Sequence, residues 1–157
     1  MRRIGITGGI GSGKSVVSRL LRIMGYSVYD TDSEAKRLME SSLEVVQKLS
    51  ECFGRDIYHN GRLNRGLLSS RVFGESDKIV LLNSIVHPVV RFDFYRWSES
   101  LNEEICFVES AILYESRFDE LVDEVWTVTA PEELRIGRVR QRSGLTEEEI
   151  KKRMACL

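Results

Sequence analysis

The arrangement of hydrophobic residues among the first 30 positions predicts a strand, a helix and a second strand. Residues Arg3 to Thr7 are predicted to form a short buried strand. Gly25 stands where helices commonly end on a glycine, and Tyr26 to Asp30 gives the second strand. The helix between them is predicted from apolar side chains at helical spacing: Val16, Val17, Leu20, Leu21 and Met24.

The middle of the chain, residues 33–101, is predicted to be almost wholly helical. His87 and Pro88 form a pair typical of an N-cap followed by a proline that opens a helix; a ligand role for His87 is the alternative. We interpret the last apolar stripe of this region as core rather than as a platform for stacking bases. Three stripes mark the helices: Val46, Leu49 and Phe53; Ile79, Leu82 and Val86; Val90, Phe94, Trp97 and Leu101.

Two more strands and two more helices are predicted after the helical middle. The strands are Ile105 to Glu109 and Glu124 to Val128. One helix is expected from Thr129, which is spaced from Glu132 as in a capping box, and another from Thr146, spaced likewise from Glu149. Strands that alternate with helices predict an α/β fold, in which helices cover both faces of a parallel sheet. We expect the helical middle to be an insertion that receives a second substrate.

Composition and charge narrow the class of protein. The 157 residues are 42% hydrophobic and 30% charged, with 12 Gly and 2 Pro, which excludes a disordered or low-complexity chain. A net charge of −1 and a pI near 6.2 disfavour nucleic acid as the main partner, because phosphate neutralisation calls for a basic protein.

Membranes and oxidising compartments are also disfavoured. No apolar run approaches the ~20 residues that cross a bilayer, and glycines interrupt the N-terminal apolar stretch, unlike in a signal peptide. The cysteines, Cys52, Cys106 and Cys156, match neither a disulfide framework nor a zinc site. We expect a soluble cytoplasmic protein that is a monomer or a small homo-oligomer, with no membrane or nucleic-acid partner.

The strongest motif is a phosphate-binding loop. Between the first strand and the first helix lies Gly8-Gly9-Ile10-Gly11-Ser12-Gly13-Lys14-Ser15, which fits G-x-x-x-x-G-K-[ST] in the required strand–loop–helix context. Glycines let backbone N–H groups converge on phosphate oxygens, and the following helix points its positive end at the same anion. Lys14 can reach the β and γ phosphates and Ser15 can hold Mg²⁺. The sequence lacks the N-K-x-D and D-x-x-G motifs of GTPases, so ATP is the expected nucleotide.

Three carboxylates are candidates for chemistry near this loop. Asp30 and Asp32 fall at the carboxyl end of the second strand, where α/β sheets bind ligands. A carboxylate there can take the proton of an acceptor hydroxyl; alternatively, Asp32 is the N-cap of a helix that begins near Ser33. Glu109 ends the third strand, where an acid can support Mg²⁺ through water or simply cap the next turn.

Arginines provide a second set of candidates. Arg135, Arg138 and Arg142 are spaced i, i+3 and i+7 and therefore share one helix face, whereas Arg140 points elsewhere. Such a face can clamp transferring phosphates in a closed site, or it can be a solvated basic surface. Glu147, Glu148, Lys151 and Lys152 are expected to pair along an exposed helix.

Several motifs together resemble the dephospho-CoA kinase family. Besides the phosphate loop from Ile4 to Ser15, they run nearly the length of the chain: Val28-Tyr29-Asp30-Thr31-Asp32, Leu63-Asn64-Arg65, Asn83-Ser84-Ile85-Val86-His87-Pro88, Ile112-Leu113-Tyr114-Glu115, and Arg138 to Arg142 before Gly144-Leu145-Thr146. The resemblance implies a P-loop kinase of three-layer α/β/α fold that transfers the γ-phosphoryl group of ATP to the ribose 3′-hydroxyl of dephospho-CoA, with Mg²⁺. It also implies a core over residues 1–32 and 103–136, a helical acceptor-binding insertion over 33–102 and a lid over 137–157.

The resemblance also assigns roles to residues. Asp32 is implied as catalytic base, with Lys14 and Arg138 as further catalytic residues and Ser15 and Glu109 (through water) as metal ligands. The ATP-binding residues implied are Gly8, Gly9, Ile10, Gly11, Ser12, Gly13, Lys14, Ser15, Val16 and Arg142. Substrate contacts are implied for Asp30, Asp32, His87 and Glu115.

The sequence departs from the family pattern at three places. Thr31 and Ala111 replace the usual alanine and proline. The family also continues with a strand of A-D-x-V-I-x-N type and a closing helix, which are absent here. We therefore expect a truncated sequence with an open sheet edge.

Overall fold

The strand–helix alternation predicted from the sequence is present in a computed structural model, which describes residues 1–155. Cys156 and Leu157, the end of the predicted lid, lie outside the described residues. Two compact units are formed: a core unit of Met1–Asp30 with the described residues from Ser100 onward, and a helical unit of Thr31–Glu99.

The core unit contains four strands and three helices: β1 (Arg2–Thr7), α1 (Lys14–Ile23), β2 (Ser27–Asp30), β5 (Ile105–Glu109), β6 (Glu124–Thr127), α6 (Glu132–Ser143) and α7 (Glu147–Ala155). The strands form one parallel sheet in the order β2–β5–β1–β6. Ile4, Ile6 and Phe107 of the sheet pack with Leu21 of α1 in one buried cluster. Parallel strands joined through helices expose little of either face, which accounts for the almost continuous apolar runs in the sequence.

The helical unit contains α2 (Thr31–Ser41), α3 (Leu43–Phe53), α4 (Arg65–Val72) and most of α5 (Ser76–Ser100). A short hairpin of β3 (Tyr58–His59) and β4 (Arg62–Leu63) is added to these helices. Tyr58 ties the hairpin to α2, since its hydroxyl donates to the Met39 carbonyl over 2.6 Å. Desolvation of the phenol, with a smaller effect of Glu40, raises the pKa of Tyr58 to about 12.

The first helix ends as the sequence predicts. Gly25 has a left-handed φ of +93°, its N–H donates to the Arg22 carbonyl and the Tyr26 N–H donates to the Leu21 carbonyl. This pair of hydrogen bonds is a Schellman motif, in which glycine avoids the cost of a side chain at positive φ. The apolar pattern does not distinguish the buried face, because Val16, Leu20 and Met24 are exposed whereas Ser18 and Leu21 are buried.

The predicted break at His87 and Pro88 is wrong, since α5 runs unbroken from Ser76 to Ser100 with Pro88 inside it. Pro88 has no N–H for the Ser84 carbonyl, and an interior proline costs about 3 kcal/mol. Burial of a large aliphatic or aromatic side chain contributes about 1.5–3 kcal/mol, and several such groups on both sides of the proline outweigh its cost. The buried apolar residues of α5 are Ile85, Val86, Val90 and Phe94.

The two predicted capping boxes have opposite outcomes. The box at Thr129 is wrong, because α6 begins at Glu132 with Pro131 as its N-cap and no side-chain cap. A proline disfavours helical backbone in the residue before it, so the helix cannot start ahead of Pro131. The box at Thr146 is confirmed: Thr146 N–H donates to the Glu149 carboxylate over 2.8 Å, and Glu149 N–H donates to the Thr146 hydroxyl over 3.3 Å.

Within residues 1–155, no helix is both long enough and apolar enough to cross a membrane.

The sequence-based expectation for the exposed pairs on α7 is confirmed for Lys151 and Glu147, whose charged groups lie 2.7 Å apart.

Candidate functional site

The loop of residues 8–13 connects β1 directly to α1, as the sequence predicts. Gly8, Gly11 and Gly13 have φ of +148°, +75° and +109°, a backbone region that other residues rarely adopt. Gly8 also lacks room for a side chain, because a Cβ there would lie 2.2 Å from the Val128 carbonyl oxygen. The glycines are therefore needed for the course of the loop itself.

The N-terminus of α1 is left open to an anion. Gly13 is its N-cap, no side chain caps the helix, and its first turn holds no acidic residue. The first N–H groups of a helix have no partners within the helix, and together with the helix dipole they attract negative charge. Ser15 is exposed in this first turn. Lys14 folds back over the loop, where its ammonium donates to the Gly8 carbonyl and to the Gly9 carbonyl, the latter over 3.4 Å.

Asp30 and Glu109 are brought together by the register of the sheet. They are the last residues of β2 and β5, are paired with one another, and Glu109 is paired with Ile6 of β1. Paired residues of neighbouring parallel strands project from the same face, and Ile6 packs in the cluster that includes α1. The two half-buried carboxylates therefore lie on the α1 face, at the edge where the loop leaves β1.

Asp32 is exposed and lies in the first turn of α2, two residues after β2 ends. The alternative in which it is the N-cap of a helix starting near Ser33 is wrong, because α2 begins at Thr31. An acid in the first turn is favoured by the helix dipole.

Two of the three spaced arginines of α6 contact the loop. Arg135 Nε donates to the Ile10 carbonyl over 2.9 Å. One guanidinium nitrogen of Arg138 donates to the carbonyls of Gly11 and Ser12 over 3.2 and 3.1 Å. Arg142 lies exposed in the last turn of the same helix. The sequence predicted the shared face but not the backbone carbonyls that it meets, because no local pattern marks which distant loop a helix covers.

The comparisons with known proteins agree on one family. The family model of dephospho-CoA kinase matches residues 2–156. The dephospho-CoA kinase of Porphyromonas gingivalis is 46% identical over 154 residues, covering 98% of this chain and 76% of that protein. The chain belongs to the dephospho-CoA kinase family. The resemblance found in the sequence is thereby confirmed, and with it the assignment to the kinases of the last step of coenzyme A synthesis.

A further member of the dephospho-CoA kinase family matches the chain, and two solved structures show its fold. The enzyme of Corynebacterium diphtheriae is 40% identical over 158 residues, covering 98% of this chain and 79% of that protein. A Thermus thermophilus protein of known crystal structure superposes with a TM-score of 0.82 at 37% identity, over 99% of this chain and 79% of that one. A shikimate kinase of Acinetobacter baumannii shares the fold at a TM-score of 0.53 and 17% identity, over 99% of this chain and 73% of that one. The predicted α/β fold of P-loop kinases is thus confirmed.

The remaining residues implied by the resemblance to dephospho-CoA kinases lie apart from the loop in sequence. His87 is half-buried in the middle of α5, and desolvation lowers its pKa below 6.5. A neutral imidazole can both donate and accept a hydrogen bond. Glu115 is exposed in the turns that follow β5. The substrate contacts that the resemblance implies for His87 and Glu115 stay predictions.

Ser12 is the one loop residue whose side chain is buried without a partner among the described residues. Its hydroxyl oxygen lies 2.9 Å from the position that a Gly8 Cβ would take. The hydroxyl thus lies against the loop's own backbone, and the ATP contact that the resemblance implies for Ser12 stays a prediction.

Proposed function

We propose that this chain transfers the γ-phosphoryl group of ATP, bound at the motif of residues 8–15, to the ribose 3′-hydroxyl of dephospho-CoA. The supporting observation is the complete strand–loop–helix unit, with left-handed glycines, an uncapped helix N-terminus and a lysine folded over the loop. Gly8 to Val16 are the ATP-binding residues of this proposal. The Gly11 and Gly13 N–H groups, which donate to no other described residue, and the Lys14 ammonium supply the positive surface that a triphosphate requires.

Asp32 is the proposed catalytic base. Its exposed carboxylate follows the carboxyl end of β2, the edge at which parallel sheets bind ligands. It takes the proton of the 3′-hydroxyl as that oxygen attacks the γ-phosphorus. The bond from the γ-phosphorus to the bridging oxygen breaks, and ADP leaves. Asp30, His87 and Glu115 are proposed to bind the acceptor.

The residues at the loop edge suit Mg²⁺. Ser15 and Glu109 offer a hydroxyl and a carboxylate oxygen, the donors that Mg²⁺ prefers, and Glu109 lies on the face of the sheet that α1 covers. Ser15 would hold the ion directly and Glu109 through water. When bound with ATP, Mg²⁺ neutralises charge on the β and γ phosphates.

Arg138 and Arg142 are proposed to stabilise the charge of the transferring phosphoryl group. Arginine suits this role because its charge persists at every physiological pH and its planar fork matches phosphate oxygens. Arg138 donates to the Gly11 and Ser12 carbonyls of the loop, so its guanidinium must leave these carbonyls to reach the transferring phosphoryl group.

The test is ADP release from Mg-ATP in the presence and absence of dephospho-CoA. We expect release to depend on dephospho-CoA, with phosphate found on the ribose 3′-oxygen of the product. Adenosine, shikimate and gluconate serve as acceptor controls and are expected to stay unmodified. Binding of ATP without acceptor-dependent ADP release would instead favour a non-catalytic nucleotide-binding module.

A further inference from the structure

The phosphate loop is held from outside by the side chains of α6. Arg135 is half-buried, and its Nε donates to the Ile10 carbonyl over 2.9 Å. Arg138 donates to the next two carbonyls, those of Gly11 and Ser12. Three consecutive carbonyl groups of the loop thus point toward one face of α6.

The close approach of α6 accounts for two of the glycines. A Cβ on Gly9 would lie 2.5 Å from one guanidinium nitrogen of Arg135 and 2.9 Å from its Cζ. A Cβ on Gly11 would lie 2.6 Å from the main-chain oxygen of Arg135. Gly9 has no left-handed φ, so its backbone would accept alanine, and the guanidinium of Arg135 is what leaves no room.

The direction of these carbonyls fixes the direction of the neighbouring N–H groups. In a planar trans peptide, the carbonyl of one residue and the N–H of the next point to opposite sides. The Gly11 N–H therefore points away from Arg135, and the Gly13 N–H points away from Arg138. Within residues 1–155, neither N–H donates a hydrogen bond, so both are open to an anion on the side away from α6.

We propose that Arg135 is a positioning residue for nucleotide binding, which holds the Ile10–Gly11 peptide so that the Gly11 N–H faces the bound phosphates. This inference rests on the proposed function only in requiring that the loop binds nucleotide phosphates. Arg135 acts through the loop, since its Nε is engaged by the Ile10 carbonyl. A peptide fixed before binding avoids the entropy cost of ordering it afterwards.

The experiment compares nucleotide affinities of Arg135→Ala, Arg135→Lys and wild type by calorimetry. We expect Arg135→Ala to weaken ATP and ADP binding equally, by about tenfold, the size of a lost hydrogen bond to a charged group. Adenosine, which lacks phosphates, is expected to bind unchanged. KM for ATP should rise while kcat at saturating ATP stays within about twofold. Arg135→Lys keeps a cationic donor and is expected to recover most of the affinity.

A double-mutant cycle provides an independent readout. Gly9→Ala displaces the Arg135 guanidinium and is expected to weaken ADP binding in wild type but to have little further effect in Arg135→Ala. The matched control is Arg140→Ala on the same helix, an exposed arginine outside the shared face, which should leave both affinities unchanged. Melting curves establish that each variant is folded.

The outcomes separate this inference from the proposed function. Wild type that binds ATP, with unaltered affinity in Arg135→Ala, refutes the positioning role alone. A loss for ATP but not ADP would mean that Arg135 contacts the γ-phosphate directly, and an equal loss for adenosine would assign it to general folding; either result overturns the proposal. Wild type that binds neither ATP nor ADP would refute the proposed function and this inference together.

Discussion

Asp32 has an exposed carboxylate and lies in the first turn of α2, just after the carboxyl end of β2. We expect Asp32→Asn to lower kcat by about 10²–10⁴, the usual contribution of a positioned general base, because the amide cannot accept the hydroxyl proton. Affinity for ATP should change little. Steady-state ADP release and calorimetry measure the two quantities, and Asp77→Asn, in the first turn of α5, is a matched control. Near-normal turnover in Asp32→Asn would remove Asp32 from the mechanism.

The burial of His87 is expected to make the free energy of unfolding depend on pH. Burial lowers its pKa in the folded state, so between that value and about 6.5 the unfolded chain binds more protons than the folded one. The contribution of the neutral imidazole to the free energy of unfolding is therefore fully present above about pH 6.5. It is lost as the pH falls through the pKa that His87 has in the folded state.

We expect the free energy of unfolding in urea to fall from pH 7.5 to pH 5.5, and to fall less in His87→Gln. His59→Gln, at an exposed position of β3, is the matched control and should retain the wild-type slope. An identical slope in wild type and His87→Gln would show that His87 does not couple protonation to folding.

At the scale of elements, a reciprocal cap stabilises the start of α7. Thr146 and Glu149 exchange hydrogen bonds at the start of α7. We expect Thr146→Ala to lower the free energy of unfolding by about 1 kcal/mol, the usual effect of losing an N-cap side chain. Thr146→Ser keeps the acceptor hydroxyl and should lose little. Chemical denaturation measures both, and equal stability of the two variants would show that the cap contributes nothing.

Pro88 and Pro131 explain why the element boundaries were only partly predictable. The same residue type that suggested a helix start at Pro88 lies inside α5, because buried side chains before and after it stabilise one continuous helix. At Pro131 the local restriction prevails instead, and α6 begins after the proline. Both places offer the same local signal, a proline. Whether the helix continues through it depends on how many apolar side chains are buried on either side.

At the scale of the whole molecule, nucleotide binding should raise thermal stability by mass action. With ADP at about 100 times its Kd, a gain of about 2.7 kcal/mol is expected, or about 5–10 °C in Tm for a chain of this size. Lys14→Ala should lose most of this shift, because the ammonium that folds over the loop no longer meets the phosphates. Arg140→Ala is the control and should keep it. Differential scanning calorimetry measures Tm with and without ADP. A rise in Tm as large in Lys14→Ala as in wild type would contradict the assignment of Lys14 to phosphate binding.

The sequence by itself determined the parallel α/β fold, the glycine loop and the family. These are set by local signals: the period of apolar residues, the left-handed glycines and the spacing of Lys14 and Ser15 after them. The Gly25 helix end and the Thr146 cap were predictable for the same reason, since each is completed within a few residues of chain.

Only the tertiary structure decided which carbonyls Arg135 and Arg138 meet, and that Asp30 and Glu109 lie side by side. It also decided which face of α1 is buried and that α5 passes through Pro88. Each of these depends on groups 79 to 127 residues apart or on the burial of whole faces. Such contacts are chosen by the free energy of the assembled fold, which no short stretch of sequence contains.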